Sequence, residues 1–249
     1  MKKSMLIVFV IAIAMIACKK ESVLSEPPVI LRESQMSSKN PYDIVGQIHN
    51  RAMDFISADH DLLVDDSINL EKINYKVADY LKTRESCVMP PIFFSPAIQK
   101  QYKAIVKSDD LPQLLADYGW SATGVEYVKE LFVILETSKT QKESNDNIII
   151  LENRILEEKF MQKKEHDILL ATMSVSRYSI EWWTNKYNGP LSKPNGWKAD
   201  AAGAIAGGIA GAIIGGTVTV GLATVPGWLA GAFGGGISSS ISACFDYYM

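Results

Sequence analysis

The chain has 249 residues, 47% of them hydrophobic and 21% charged, with 17 glycines and a formal net charge of −3. That composition excludes a wholly disordered acidic chain and a collagen-like repeat, and the length allows one or two domains with a real core. With 25 basic residues against 28 acidic ones and no basic stripe, the chain lacks the positive excess needed to neutralise a phosphate backbone, so nucleic acid is not an expected partner.

At the N-terminus, Lys2 and Lys3 precede an uninterrupted apolar run from Met5 to Ala17. It fits the core of a signal peptide and falls short of the ~20 residues of a spanning helix. The run ends Met15-Ile16-Ala17-Cys18, a small residue followed directly by cysteine. This resembles the bacterial lipobox, with Met15 and Ile16 standing where that motif usually has leucine and a small residue. The resemblance implies a signal peptide at 1–17, cleavage before Cys18 and acyl chains carried on its thiol. At about 0.8 kcal/mol per buried CH₂, several such chains hold a protein stably on a membrane. The residue after Cys18 is Lys19 rather than Asp, which by resemblance to bacterial sorting rules implies a lipid-anchored protein of the cell envelope, at the outer membrane. Residues 18–40 are polar, contain Pro27-Pro28 and Ser37-Ser38, and read as a flexible tether.

From 41 to 198 the periodicity predicts an α-helical soluble domain. Asn40 is placed to cap a helix with Pro41 at its first position, and Val45, Ile48, Ala52, Phe55 and Ile56 recur at helical spacing. A second helix is expected at about 70–83, with Ile73, Val77, Tyr80 and Leu81 on one face, before Pro90-Pro91 breaks the chain. Shorter helices are expected at about 97–107 and 111–118, and a broad apolar face (Val125, Val128, Leu131, Phe132, Leu135) predicts another at about 124–137. From Glu143 to Tyr187 there is no Gly or Pro, which favours one extended helix or two nearly continuous ones. Its charged centre, Glu157 to Asp167, reads as a solvated arm.

The C-terminal segment, 199–249, is of another kind. No charged residue occurs between Asp200 and Asp246, and so long a run must be buried in protein or in lipid. Gly203, Gly207, Gly211 and Gly215 recur at every fourth position, as do Gly227, Gly231 and Gly235. Residues four apart share one side of a helix, so each series leaves a groove in which another backbone can approach closely. The β-branched run Thr217-Val218-Thr219-Val220 and Pro226 place the reversal of a helical hairpin at about 217–225. At ~1.5 Å per residue its arms reach about 24 and 27 Å, slightly less than a ~30 Å hydrocarbon core. Trp182, Trp183, Tyr187 and Trp197 in the approach segment are expected as membrane-interface aromatics. The expected fold class is mainly α: a helical soluble domain followed by a Gly/Ala-rich apolar helical hairpin.

These two glycine series, together with the lipobox, resemble Gram-negative envelope lipoproteins with a C-terminal glycine-zipper segment of two helices. The likeness covers roughly the last fifth of the chain and its first twenty residues, and nothing between. It implies that Gly203, Gly207, Gly211, Gly215, Gly227, Gly231 and Gly235 associate helices at a membrane, with membrane lipid and further copies of the chain as partners. Pore-forming bacteriocins carry a similar Gly-rich apolar pattern. A tightly packed hairpin tucked against the helical domain, with no lipid contact, is the third reading of the same spacing.

Signals of catalysis are absent. His49, His60 and His166 are far apart and have no His or Cys at metal-ligand spacing, so no metal site is expected. The acidic cluster Asp59, Asp61, Asp65 and Asp66 fails the calcium-loop pattern, with Val64 where glycine is needed and Leu70 where glutamate is. Cys87 and Cys244 remain after lipidation without a spacing that argues for a disulfide. No cofactor motif and no nucleophile signature is present. The local polar set Asp43, Gln47, His49 and Asn50 is the best candidate for a specific site, and a helix-interface role suits it best, since the mid-helix Gly46 hints at close packing. The expected role is therefore structural or interaction-based and non-enzymatic, exercised through membrane insertion or oligomerisation; the alternative is a pore-forming, bacteriocin-like toxin restrained by its soluble part.

Overall fold

A helix buried around its whole circumference needs protein on every side, with partners for whatever polar groups it carries. In this chain that helix spans Lys163–Tyr187, and every residue from Asp167 to Ile180 is buried. The computed structural model describes residues 39–58, 70–85, 110–187, 196–214, 217–220, 223–226, 231–232 and 235–236. Within them the fold is mainly α: α1 Asp43–Ser57, α2 Leu70–Arg84, α3 Leu111–Asp117, α4 Ala122–Thr137, α5 Gln141–Glu157, α6 Lys163–Tyr187 and α7 Gly196–Ile214, followed by β1 Thr217–Val220 and β2 Ala223–Pro226. Helices α1, α5 and α7 lie along α6, and α4 closes against α5 and α6. One hydrophobic core results, running from Val45 and Ile48 of α1 through Leu131, Ile148 and Leu169 to Ala204, Ile205 and Ile209 of α7.

The ends of the helices are set by local chemistry. The Asp110, Ser121 and Thr140 side chains accept from the backbone N–H of Gln113, Gly124 and Glu143, capping α3, α4 and α5. Gly119, at φ +80°, supplies the left-handed residue that ends α3. Asn40 does not cap α1. Its Oδ1 accepts from Tyr42 N–H at 2.8 Å while its amide reaches Glu152 and the Leu170 carbonyl, so the helix begins at Asp43.

Three further expectations are corrected. The run from Glu143 to Tyr187 is neither one rod nor two continuous ones: a turn at 158–162 separates α5 from α6, and the two pack side by side. Burying Ile148, Leu151 and Ile155 against α6 outweighs the local preference for continuing the helix. Nor is the charged centre wholly solvated, because Glu165 is buried and accepts from both the N–H and the hydroxyl of Ser121, at 3.1 and 2.6 Å, while Asp167 is buried beneath Lys163. Finally, 217–226 reverses through an antiparallel β-hairpin pairing Thr217 with Pro226 and Val220 with Ala223, as its β-branched residues favour.

The expected boundary at 198/199 falls inside α7, and all described residues belong to one unit, Ser34–Met249. The short helix expected at 97–107 lies outside the described residues, as do Cys18, Asp59 to Asp66, Cys87 and Cys244.

Candidate functional site

After Asp200, α7 carries only small and apolar residues, and from Ala201 to Ile209 all of them are buried. Its glycines admit another backbone. A Cβ on Gly207 would run into the carbonyl oxygen of Gly231, with that carbonyl carbon at 2.7 Å and the Cα of Gly235 at 3.0 Å. A Cβ on Gly235 would run into the carbonyl oxygen of Gly203, with Gly207 Cα at 2.9 Å. The described pieces at 231–232 and 235–236 are helical, so the two glycine series meet backbone to backbone within one chain. Gly203, Gly207, Gly231 and Gly235 are thereby brought together. Gly211 lies farther along α7, and Gly215 and Gly227 are outside the described residues. The next glycine in each arm faces the bundle instead: Gly208 lies against Ile168, and Gly236 against the His49 ring and Val175.

Beneath this ladder runs a polar seam that the periodicity of α6 conceals. Arg177 is fully buried and its guanidinium pairs with Asp43 of α1 and, at 3.3 Å, with Glu152 of α5. Asn40 donates to the same Glu152 oxygen, and Tyr178 donates to Asp43 at 3.1 Å. Burial first, and then the Asp43 carboxylate, push the Tyr178 phenol well above the usual range. One turn of α1 further on, Gly46 brings the backbone so close that a Cβ would meet the Tyr178 ring and the Ser174 carbonyl oxygen at 2.6 Å; its N–H donates to Ser174 Oγ, which itself donates to the Asp43 carbonyl at 2.9 Å.

The seam continues to the start of α7. Asp200 is fully buried; Ser179 donates to its Oδ2, Trp183 Nε1 donates to the same oxygen at 3.0 Å, and His49 Nε2 lies 3.6 Å away. The Trp182 indole donates to Asp54 at 2.8 Å, and the Asn50 amide to the Tyr178 carbonyl at 2.7 Å. Asp43 and Asn50 therefore serve the contact between α1 and α6, and His49 that between α1 and α7. Most of these bonds join one helix to another, so the seam ties α1, α6 and the start of α7 together.

Trp182 and Trp183, read from their position as interface aromatics, are instead buried at 6% and 8% exposure with their indole N–H groups satisfied by Asp54 and Asp200. An aromatic ring with one polar edge suits a boundary with water and equally a core that offers a carboxylate. Tyr187 ends α6 and Trp197 is the second residue of α7, and the side chains of both lie outside the described residues.

Arg177, Glu152 and Asp200 were not singled out in the sequence. The signal for Arg177 was a single cation in an otherwise uncharged stretch from Ile168 to Ile180, and for Asp200 its position as the last charge before the apolar run. Among the described residues no group of His, Cys, Asp and Glu could hold a metal ion, and no helix is long and apolar enough to cross a membrane. No protein-family model, curated protein or solved structure gives a significant match to the chain.

Proposed function

We propose that this chain is a lipid-anchored envelope protein, held through Cys18, whose role is non-enzymatic and is exercised by a Gly/Ala-rich apolar helical hairpin stored in a helical bundle. The observation that carries the reading is the backbone contact of Gly203 and Gly207 with Gly231 and Gly235. A seam of this kind makes the two arms one body, whose outer surface of Ala and Ile faces α6. Such a body can exchange the bundle for lipid without losing its own contacts, because acyl chains are as apolar as the side chains they replace. Self-association through the same glycines requires the arms to part first, so insertion is the favoured mode of action and oligomerisation the secondary one.

Fractionation of cells expressing the wild-type chain and Cys18→Ala, followed by a carbonate wash, tests the reading. Release of the variant shows that lipid alone anchors the protein and that the hairpin stays in the bundle. Retention of an exported variant shows that the hairpin itself holds the bilayer. The second reading, a bacteriocin-like pore former, is favoured by the same sheathing of an apolar hairpin, and dye release from liposomes by the full-length chain separates it from a scaffold.

A further inference from the structure

Phe160 is 96% exposed, the most exposed of the large apolar side chains described, and it does not sit on a frayed end. It stands at the apex of the turn between α5 and α6, where Glu158 N–H donates to the Ile155 carbonyl at 3.0 Å, Phe160 N–H donates to the Glu158 carboxylate at 2.9 Å, and Met161 packs against the core. A turn so closely held presents its phenyl ring outward as a fixed feature. Lys159, Lys163 and Lys164 surround it, all exposed, with Lys163 reaching back to Asp167 at 2.5 Å; Glu157 is the exposed acid nearby.

The same pole of the molecule receives two other parts of the chain. Asn40 is bonded to Glu152 and to the Leu170 carbonyl, and burial together with the adjacent Asp167 carboxylate raises the Tyr42 phenol above its ordinary range, so the segment leading back to Cys18 joins the domain within about 10 Å of the turn by helical rise. Helix α7 runs antiparallel to α6, since Asp200 meets Ser179 and Trp183 while Gly208 lies against Ile168; its C-terminal end and the β-hairpin after it are carried toward this pole. Residues 18 to 39 span at most ~75 Å even when fully extended, so an anchor at Cys18 keeps this pole within reach of the bilayer at high effective concentration.

We propose that the α5–α6 turn is a second membrane contact, in which Phe160 enters the interfacial layer of an anionic bilayer and Lys159 and Lys164 meet the headgroup phosphates. Aromatic rings favour that layer, and lysines beside it keep their charge in water while their stems cover apolar surface. The inference rests on the lipid-anchor reading for what brings the pole to the membrane, yet it is tested separately.

The test uses the full lipidated chain in vesicles of phosphatidylcholine with phosphatidylglycerol, carrying Phe160→Cys with Cys87→Ser and Cys244→Ser, and a nitroxide on the introduced thiol. Tyr75→Cys, at a 70% exposed position of α2, is the water-facing reference. Collision with oxygen against a water-soluble nickel complex reads the depth of each label. The expected result is a label at 160 with at least about fivefold lower access to nickel than the label at 75, an effect that weakens in pure phosphatidylcholine and after Lys159→Gln with Lys164→Gln. Equal nickel access at 160 and 75 overturns the proposal. Mass spectrometry of Cys18 in the unlabelled parent chain judges the anchor independently: a wet label at 160 on the acylated chain refutes the docking alone, and an unmodified Cys18 in the parent refutes the anchor.

Discussion

Replacing single glycines with alanine separates a ladder that holds this chain to itself from one that joins copies. At Gly207 the added methyl meets backbone, with the Gly231 carbonyl carbon at 2.7 Å and Gly235 Cα at 3.0 Å. Carbon atoms in good contact sit about 3.5–4.0 Å apart, so the arms must separate by about 1 Å, and a gap of that size forfeits about a quarter to a half of each neighbouring dispersion contact. Backbone cannot swing aside as a side chain does, which puts the cost at the upper end of overpacking, about 3 kcal/mol, while alanine's better helix propensity returns about 1 kcal/mol. The net loss is about 2 kcal/mol for Gly207→Ala and similar for Gly235→Ala. At Gly236 the new atom meets the His49 ring and Val175 Cγ1, each at 3.3 Å and both side-chain atoms, while the nearest backbone atom, the Asp200 carbonyl oxygen, stands at an ordinary 3.7 Å. A shift of a few tenths of an ångström suffices there, and the propensity gain brings Gly236→Ala within about 1 kcal/mol of neutral. For a domain of this size about 2 kcal/mol lowers the unfolding midpoint by about 4–8 °C. Thermal unfolding followed by circular dichroism at fixed protein concentration checks the order. If Gly207→Ala melts with the parent while cross-linking between copies falls, the ladder works between chains and the intramolecular account is wrong.

Arg177→Met leaves Asp43 and Glu152 facing each other in the core and is expected to cost about 3–5 kcal/mol, whereas Arg177→Met with Asp43→Asn and Glu152→Gln costs less than the single change, because it removes the stranded charges; urea unfolding that ranks them the other way refutes the account of the seam. Asp200→Ala strips the acceptor from Ser179 and Trp183 at the root of α7 and is expected to cost about 2–4 kcal/mol and to speed amide exchange in α7 more than in α5, so uniform exchange across both helices counts against Asp200 as the fastening of the hairpin. High pH is expected to unfold the protein steeply. The phenols of Tyr80 and Tyr178 are both raised, chiefly by burial and then by Glu85 and Asp43, so the folded state keeps protons that the unfolded state releases above about pH 10. Their stabilisation is complete below that pH and is lost above it at about 1.4 kcal/mol per pH unit for each tyrosine, and a flat stability between pH 9 and 11 argues against both placements.

Helices α1, α2, α3 and α4 were legible because their apolar residues recur at 3.6 spacing and each needs only one covered face. Helix α6 was legible as a helix but not as the centre of the fold. Its buried polar residues, Ser174, Arg177, Ser179 and Asp167, are the types that periodicity assigns to solvent, and their partners lie up to 135 residues away, as with Tyr178 and Asp43. The same distance hid Glu165, which looks like one more charge in a solvated arm and instead holds the start of α4. The glycine spacing pointed to a close backbone approach, which Gly203, Gly207, Gly231 and Gly235 make, and could not say whether the partner backbone belonged to the same chain.

The two kinds of contact around α7 differ in what it takes to break them. Between the glycine arms the contact is backbone on backbone, independent of charge and unchanged whether water, protein or lipid lies outside it. Between the hairpin and the bundle the apolar contacts of Ala204, Ile205 and Ile209 are supplemented by the buried acceptor Asp200, whose donors Ser179 and Trp183 belong to α6. Lipid can replace the first set of bundle contacts at little cost but offers no donor for a carboxylate. On the proposed reading the hairpin would therefore leave the bundle everywhere except at its root, and because α7 runs antiparallel to α6, the end opposite that root lies at the pole of Asn40 and Phe160. If the proposed lipid anchor brings that pole to a membrane, a hairpin fastened at the far end would enter lipid from its tip while Asp200 stays in the protein, and Asp200→Ala, by releasing the root, is expected to increase carbonate-resistant retention of the Cys18→Ala chain; unchanged retention refutes that order of events.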